Sequence, residues 1–231
     1  MPTTTHPIRV ATGEETTALI YPARQGDDPP LLVLAHGAGA GQRHAFIVTI
    51  AEALASRGVS VVTFDFLYVA RGRRLPDKAP LLEACFSAVV EQARGWYPSA
   101  RLFLGGKSLG GRMATHLAAA GAVPDLTGVV VLGYPLHPPG RPAQRRTAHL
   151  SRIRVPLLVI QGTRDAFGSP DDVRGALRPL GRRARVEAIE NGDHSFTVPK
   201  RGNVRQAEVY AHIAQTAADW ILSAEGQASA G

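Results

Sequence analysis

Five residues near the middle of the chain, Gly106-Lys107-Ser108-Leu109-Gly110, have the spacing G-x-S-x-G, with an apolar strand pattern before them and a helix pattern after. Such a strand-to-helix turn carries its serine at the tip, and the two elements approach so closely that the positions two before and two after tolerate little beyond hydrogen. Gly106 and Gly110 meet that demand. The helix that opens at the turn aims unpaired N–H groups and the positive end of its dipole at the same point, which favours an oxyanion. A serine hydroxyl by itself is inert near neutral pH. It needs an imidazole to take its proton and a carboxylate to fix the imidazole's tautomer and stabilise its cation.

Both partners are expected later in the chain, acid before base, each on a loop after a strand. The apolar run Pro156 to Ile160 leads into Gln161-Gly162-Thr163-Arg164-Asp165, and a weaker run ending at Ile189 leads into Asn191-Gly192-Asp193-His194-Ser195-Phe196. Asp165 and His194 are therefore the candidate acid and base. Asp165 has the plainer alternative of capping a turn, as Asp171 or Asp172 would cap the next helix. Among the other histidines, His116 and His212 fall within helix patterns, and His6, His137 and His149 follow no strand with a matching acid. His44 sits in the first crossover.

A glycine-rich run, His36-Gly37-Ala38-Gly39-Ala40-Gly41, follows the first apolar strand. A loop of this kind can present a backbone N–H to the point reached by the N–H after the nucleophile, so Ala38 and Leu109 are the expected oxyanion donors, with Gly37 as a loop glycine and His36 shaping the loop. Two rival motifs fail on spacing. A phosphate-binding loop ending in Gly106-Lys107-Ser108 requires glycine at position 101, which is arginine, and a dinucleotide fingerprint starting at Gly37 requires glycine at position 42, which is glutamine.

To bring these loops together, the chain must place several strands side by side. Apolar, β-branched runs at 31–35, 60–64, 102–104, 128–132, 156–160 and 185–189 alternate with helix-period stretches at 46–54, 80–96, 109–120, 170–180 and 205–222. Runs apolar at every position, such as Val129-Val130-Val131-Leu132, require burial on both faces, hence helices on each side of a mostly parallel sheet. Ile8 to Val10 and Thr16 to Tyr21 read as an antiparallel pair at the sheet edge. One domain over residues 1–231 is expected, frayed at 1–5 and 224–231.

The composition excludes other classes. With 231 residues, 45% of them apolar, the chain can bury a sizeable core, and it contains no apolar run long enough to span a membrane. A net charge of +7 invites nucleic acid, but the basic residues are dispersed, without aromatic interleaving, zinc-ligand spacing or a helix-turn-helix pattern. No nucleic-acid or membrane partner, metal or cofactor is expected. Cys85, the single cysteine, lies in an apolar helical run and reads as a buried small side chain. It agrees with a reducing compartment, and since residues 1–15 lack the pattern of a signal peptide, a cytoplasmic address is expected.

Longer blocks carry a resemblance across essentially the whole chain. Phe64-Asp65-Phe66, Arg71-Gly72-Arg73-Arg74, Gly105 to Arg112, Gly133 to Gly140 and Gly192 to Phe196 resemble the α/β-hydrolase superfamily. More narrowly, they resemble the dienelactone-hydrolase-related group that contains the bacterial relatives of testis-expressed protein 30 and NSL complex subunit 3. The resemblance implies an α/β-hydrolase fold with an eight-stranded, mostly parallel sheet, a nucleophile elbow at Ser108, and partners at Asp165 and His194. Dienelactone hydrolase itself uses cysteine where this chain has Ser108. The interval from Tyr134 to Val155 holds only some twenty residues, too few for a large cap, so an open cleft for small or medium acyl substrates is expected. Phe66, Tyr68, Tyr134, Leu136 and Phe196 are expected to line it, and Arg71, Arg73 and Arg145 to offer a substrate carboxylate a partner. The chemistry implied is cofactor-free cleavage of an ester or thioester through an acyl-enzyme. A peptidase or amidase using the same groups, and a non-catalytic interaction module, are the alternatives.

Overall fold

A computed structural model of the chain describes residues 4–199 and 205–223. Chain order runs β1 (Thr5–Arg9), β2 (Glu15–Tyr21), β3 (Leu31–Ala35), α1 (Ala45–Ala55), β4 (Ser60–Phe64), α2 (Leu67–Ala70), α3 (Ala79–Trp96), β5 (Leu102–Lys107), α4 (Leu109–Ala120), β6 (Leu126–Leu132), β7 (Leu157–Gly162), α5 (Pro170–Leu177), β8 (Ala184–Ile189) and α6 (Gln206–Leu222). The strands form one eight-stranded sheet in the order β1-β2-β4-β3-β5-β6-β7-β8. β1 and β2 run antiparallel at one edge, and from β4 across to β8 every neighbouring pair is parallel.

The alternation of side chains along each strand sorts the core into two layers. Val33, Ala35, Val62, Leu104, Val131 and Val159 face one side, where α3, α4 and α5 pack. Leu32, Leu34, Val61, Phe103, Val130 and Ile160 face the other, covered by α1 and α6. Leu31–Ala35 and Ser60–Phe64 are buried at every position, which is why these runs carry no polar alternation in the sequence. The α/β-hydrolase fold with helices on both faces and no large cap is therefore the architecture observed. Between β6 and β7 stands only a single 3-10 turn, Leu150–Arg152.

The sequence reading misplaces several boundaries. β5 runs on through Gly105, Gly106 and Lys107, which pair with β6 at Val130, Val131 and Leu132; glycines send no apolar signal, and a Cβ at Gly105 would stand 2.8 Å from the Val130 carbonyl. α5 stops at Leu177 instead of 180 because Pro179 lacks an N–H, and a kinked 3-10 stretch follows through Gly181. The first strand lies at Thr5–Arg9 instead of 8–10, since Val10 closes the turn with Gly13 and Glu14. Thr5 is thus paired, with Leu19, where fraying was expected. The expected frayed stretches 1–3 and 224–231 lie outside the described residues.

Two side chains off the site are sensitive reporters of this packing. Trp220 of α6 is buried, meets Phe103 edge-on at 5.9 Å between ring centroids, and fills the space over Gly128, where a Cβ would stand 2.8 Å from the indole. Trp220→Ala is expected to cost about 3–5 kcal/mol, read as a lower urea midpoint at unchanged slope. His149, against α4, shares a hydrogen bond with Thr115 at 2.9 Å and lies 4.1 Å from the His116 ring. Burial first, then the positive neighbours His116, Arg112 and Arg152, push its pKa down to about 4. The unfolded chain binds this proton near pH 6.5. The folded state is therefore fully favoured above that pH and loses this contribution as pH falls from about 6.5 to 4. Chemical denaturation across that window is expected to show a shallower pH dependence in His149→Gln than in the wild type.

Candidate active site

Ser108 stands between β5 and α4, as a residue with φ 50° and ψ −108°, a conformation that side-chain-bearing residues rarely hold. The sequence allows it because the residues two before and two after it lack side chains. A Cβ on Gly106 would fall 2.5 Å from the Gly111 nitrogen, and one on Gly110 would fall 2.6 Å from the carbonyls of Ala35 and His36. The Ser108 N–H donates to Leu132 at 3.0 Å, so the turn stays tied to β6 beyond the end of β5.

The two distant partners meet the serine. His194 Nε2 lies 2.8 Å from Ser108 Oγ, and His194 Nδ1 lies 2.7 Å from Asp165 Oδ2. The Asp165 side chain is fully buried, and its carboxylate accepts two further bonds, from the Phe167 N–H at 2.8 Å and from the Gln161 amide at 2.9 Å. A carboxylate facing Nδ1 requires the proton there, which leaves Nε2 free to accept from the serine hydroxyl. Phe167 covers the imidazole, with 4.1 Å between ring centroids.

Each loop is shaped by local bonds. Gln161, a buried polar residue at the end of β7, accepts from the Tyr134 N–H and donates toward Asp165 and the Gly168 carbonyl. Asp193 accepts from the N–H groups of Ser195 and Thr197, and Asn191 and Phe196 take positive φ, which coils the His194 loop. Backbone crowding brings the two loops together, since a Cβ on Gly162 would meet the Asp193 carbonyl at 2.7 Å.

The glycine-rich loop after β3 is fixed from beneath. His36 is buried; its Nε2 accepts from the Phe66 N–H at 3.1 Å, so Nδ1 carries the proton and donates to the Gly37 carbonyl at 2.8 Å. Burial holds its pKa below the ordinary value, in keeping with a neutral ring. Because a trans peptide points its C=O and N–H in opposite directions, anchoring the Gly37 carbonyl turns the Ala38 N–H away from the His36 ring. Asp65 pins the far end of the loop, accepting from the Gln42 backbone and side-chain amides at 2.7 and 3.1 Å. That carboxylate, which a dinucleotide site would direct at a ribose, is spent on the loop.

A cavity of about 220 Å³ opens at Ser108, walled by Gly37 to Ala40, His44, Phe46, Ile47, Lys107, His194, Ser195 and Tyr210. Of the two oxyanion candidates, Ala38 lines it. Leu109 does not, but as the first residue of α4 it has no intrahelical acceptor for its N–H. The expected wall residues do not line it. Phe66, Tyr68, Leu136 and Phe196 are fully buried and Tyr134 nearly so, the first two in an aromatic cluster around His36 and Phe64. The loop's steric demand also falls elsewhere than Gly37, where a Cβ would stand 3.4 Å from Lys107; at Gly41 a Cβ would stand 2.8 Å from Asp65 Oδ1, so that is the position without room. Arg71 pairs with Glu14 and Asp77, and Arg73 with Asp77 at 2.5 Å, so both guanidiniums are committed within the chain. Arg145 does not line the cavity. Phe46 and Tyr210 were missed because Phe46 belongs to the apolar stripe of its helix and Tyr210 neighbours the stripe of α6. Gln161 gave a usable signal, an amide at the end of an otherwise apolar strand.

A family model described as an alpha/beta hydrolase domain matches residues 28–222. The chain belongs to the α/β-hydrolase family. Solved structures similar to it include an α/β serine hydrolase homologue from Coxiella burnetii (16% identity, 94% of this chain and 98% of that one, TM-score 0.74). A lid-less α/β serine hydrolase from Xanthomonas campestris is 19% identical over 96% of this chain and 98% of that one, with TM-score 0.71. A dienelactone hydrolase from Anabaena variabilis is 20% identical over 95% of this chain and 97% of that one, with TM-score 0.73. At such identities the likeness concerns the fold. For this hydrolase-family chain, Gly110→Ala is expected to abolish soluble folded protein or to destabilise it by at least about 3 kcal/mol, while Gly175→Ala, where a Cβ meets nothing, leaves the thermal midpoint within a few degrees.

Proposed function

We propose that the protein is a serine hydrolase that cleaves a carboxylic ester or thioester of a small to medium substrate through an acyl-enzyme. The observation that carries this reading is the continuous hydrogen-bonded row Ser108–His194–Asp165 at the mouth of a cavity. An interaction module has no physical need of a buried carboxylate holding an imidazole against a hydroxyl.

On this reading Ser108 Oγ attacks the substrate carbonyl as its proton passes to His194 Nε2. Asp165 stabilises the resulting imidazolium and holds its orientation. The carbonyl oxygen turns tetrahedral between the Ala38 and Leu109 amides, each such donor contributing roughly 3 kcal/mol of transition-state stabilisation. His194 then protonates the leaving alkoxide or thiolate, and water, deprotonated by the same imidazole, releases the acid. No cofactor enters any step. The cavity volume and the apolar wall of Phe46 and Ile47 favour short acyl groups, and the substrate is a small molecule, neither nucleic acid nor lipid bilayer. The motif blocks further support a place in the group of the bacterial relatives of testis-expressed protein 30 and NSL complex subunit 3. The single cysteine, Cys85, buried and with its thiol pushed up to about 12 by that burial, agrees with work in the reducing cytoplasm. Among the described residues no helix is long and apolar enough to cross a membrane.

A panel of p-nitrophenyl esters tests the reading. Acetate and butyrate are expected to turn over faster than dodecanoate, and Ser108→Ala or His194→Ala to lower kcat by roughly 10⁴-fold or more. Losses below about tenfold would mean that the nucleophile or base lies elsewhere.

A further inference from the structure

The lysine of the Gly-Lys-Ser run takes no part in that scheme, yet it lies in contact with the base. We propose that Lys107 is a positioning residue: its ammonium clamps the His194 carbonyl and so holds the imidazole in register with the serine that Lys107 itself precedes. The proposal rests on the serine-hydrolase reading.

Three contacts define the clamp. Lys107 Nζ donates to the His194 carbonyl at 2.5 Å and stands 5.4 Å from the centre of the Phe196 ring. It occupies space that a side chain at position 133 would take, since a Cβ on Gly133 would lie 3.1 Å from Nζ and 3.5 Å from His194 Nδ1. Gly133, the residue after β6, therefore leaves a slot between the elbow and the base loop, and the ammonium fills it. Lys107 is the last residue of β5, paired with Leu132, so the strand that presents the nucleophile also grips the backbone of the base.

Charge makes the clamp stronger than a neutral amide would. The carboxylates of Asp165 and Asp193, from the two neighbouring loops, attract the ammonium, while burial pushes its pKa down to about 8. Among the described residues these two carboxylates are the charged groups that act on it, and His44, His194 and Tyr210 are the titratable side chains that line the same cavity. The chain uses lysine sparingly, at positions 78, 107 and 200 among 26 basic residues. A guanidinium is broader and stays charged at any working pH; an ammonium is compact and can release its proton.

The experiment combines ester hydrolysis with NMR of the folded chain. With three lysines in the sequence, the 13Cε signal of Lys107 is assigned by its loss in Lys107→Met. It is expected to titrate near pH 8, and wild-type kcat/KM for p-nitrophenyl butyrate to fall with the same midpoint as the charge-assisted bond is lost. Lys107→Met, folded by near-UV circular dichroism, is expected to lose roughly 10²-fold in kcat with little change in KM, and to lack that alkaline fall. A folded Lys107→Met with wild-type kcat, or with the same alkaline midpoint, overturns the proposal. If the variant does not fold, the Lys107 signal is assigned by elimination with Lys78→Arg and Lys200→Arg and the wild type decides: coincident midpoints for the lysine signal and for activity support the clamp, and midpoints more than about one pH unit apart overturn it. A wild type that turns over no ester overturns the hydrolase reading and this role with it. That outcome is distinct because the lysine signal still titrates.

Discussion

The approach of β5 to α4 at Ser108 is the constraint from which the rest of the site follows. A serine side chain reaches out of a sheet only if the chain reverses sharply enough to put it at the tip, and such a reversal presses the strand's backbone against the helix. Gly106 and Gly110 are spaced by that geometry, with no room for a methyl group at either. The strained φ of Ser108 costs on the order of 1–3 kcal/mol, a cost that β3 and β6, paired on either side of β5, can hold in place. The turn is rigid because it sits in the middle of the sheet.

Parallel pairing then decides what can surround the serine. Every strand from β4 to β8 ends on the same side, so the loops after β3, β5, β7 and β8 gather at one rim although their residues lie up to 158 positions apart, from His36 to His194. Each loop is held by bonds that leave one group available. His36 ties down the Gly37 carbonyl and turns out the Ala38 N–H, Gln161 and Phe167 steady the Asp165 carboxylate, and Asp193 coils the backbone that offers His194. The buried charges balance locally: one carboxylate faces the imidazole, and Lys107 stands near both Asp165 and Asp193.

The parts legible in the sequence were those set by short-range rules. Fully apolar runs identify strands buried on both faces, and the three side chains of the row follow from the G-x-S-x-G spacing and from loops placed after strands. The apolar walls of the cavity were not legible. Phe66, Tyr68, Tyr134, Leu136 and Phe196 follow strand ends or the base, where an aromatic or aliphatic side chain can point to either the cleft or the core, and all five turn inward. Phe46, on the apolar stripe of α1, instead reaches the cavity while stacking on Phe196 at 5.8 Å. Arg71 and Arg73 looked available because their partners, Glu14 and Asp77, come close only once the edge hairpin and the loop before α3 have folded. Lys107 was left without a role once the phosphate loop failed on spacing, because composition does not show which way a side chain on the last residue of a strand will point.

The most direct measurement is the site of attack by a fluorophosphonate, which reacts covalently with a serine whose proton an imidazole can accept. Peptide mass spectrometry of the treated protein should find the phosphonyl adduct on Ser108, and the adduct should vanish in His194→Ala. An adduct on another residue, or no adduct on a folded and soluble chain, would contradict the account.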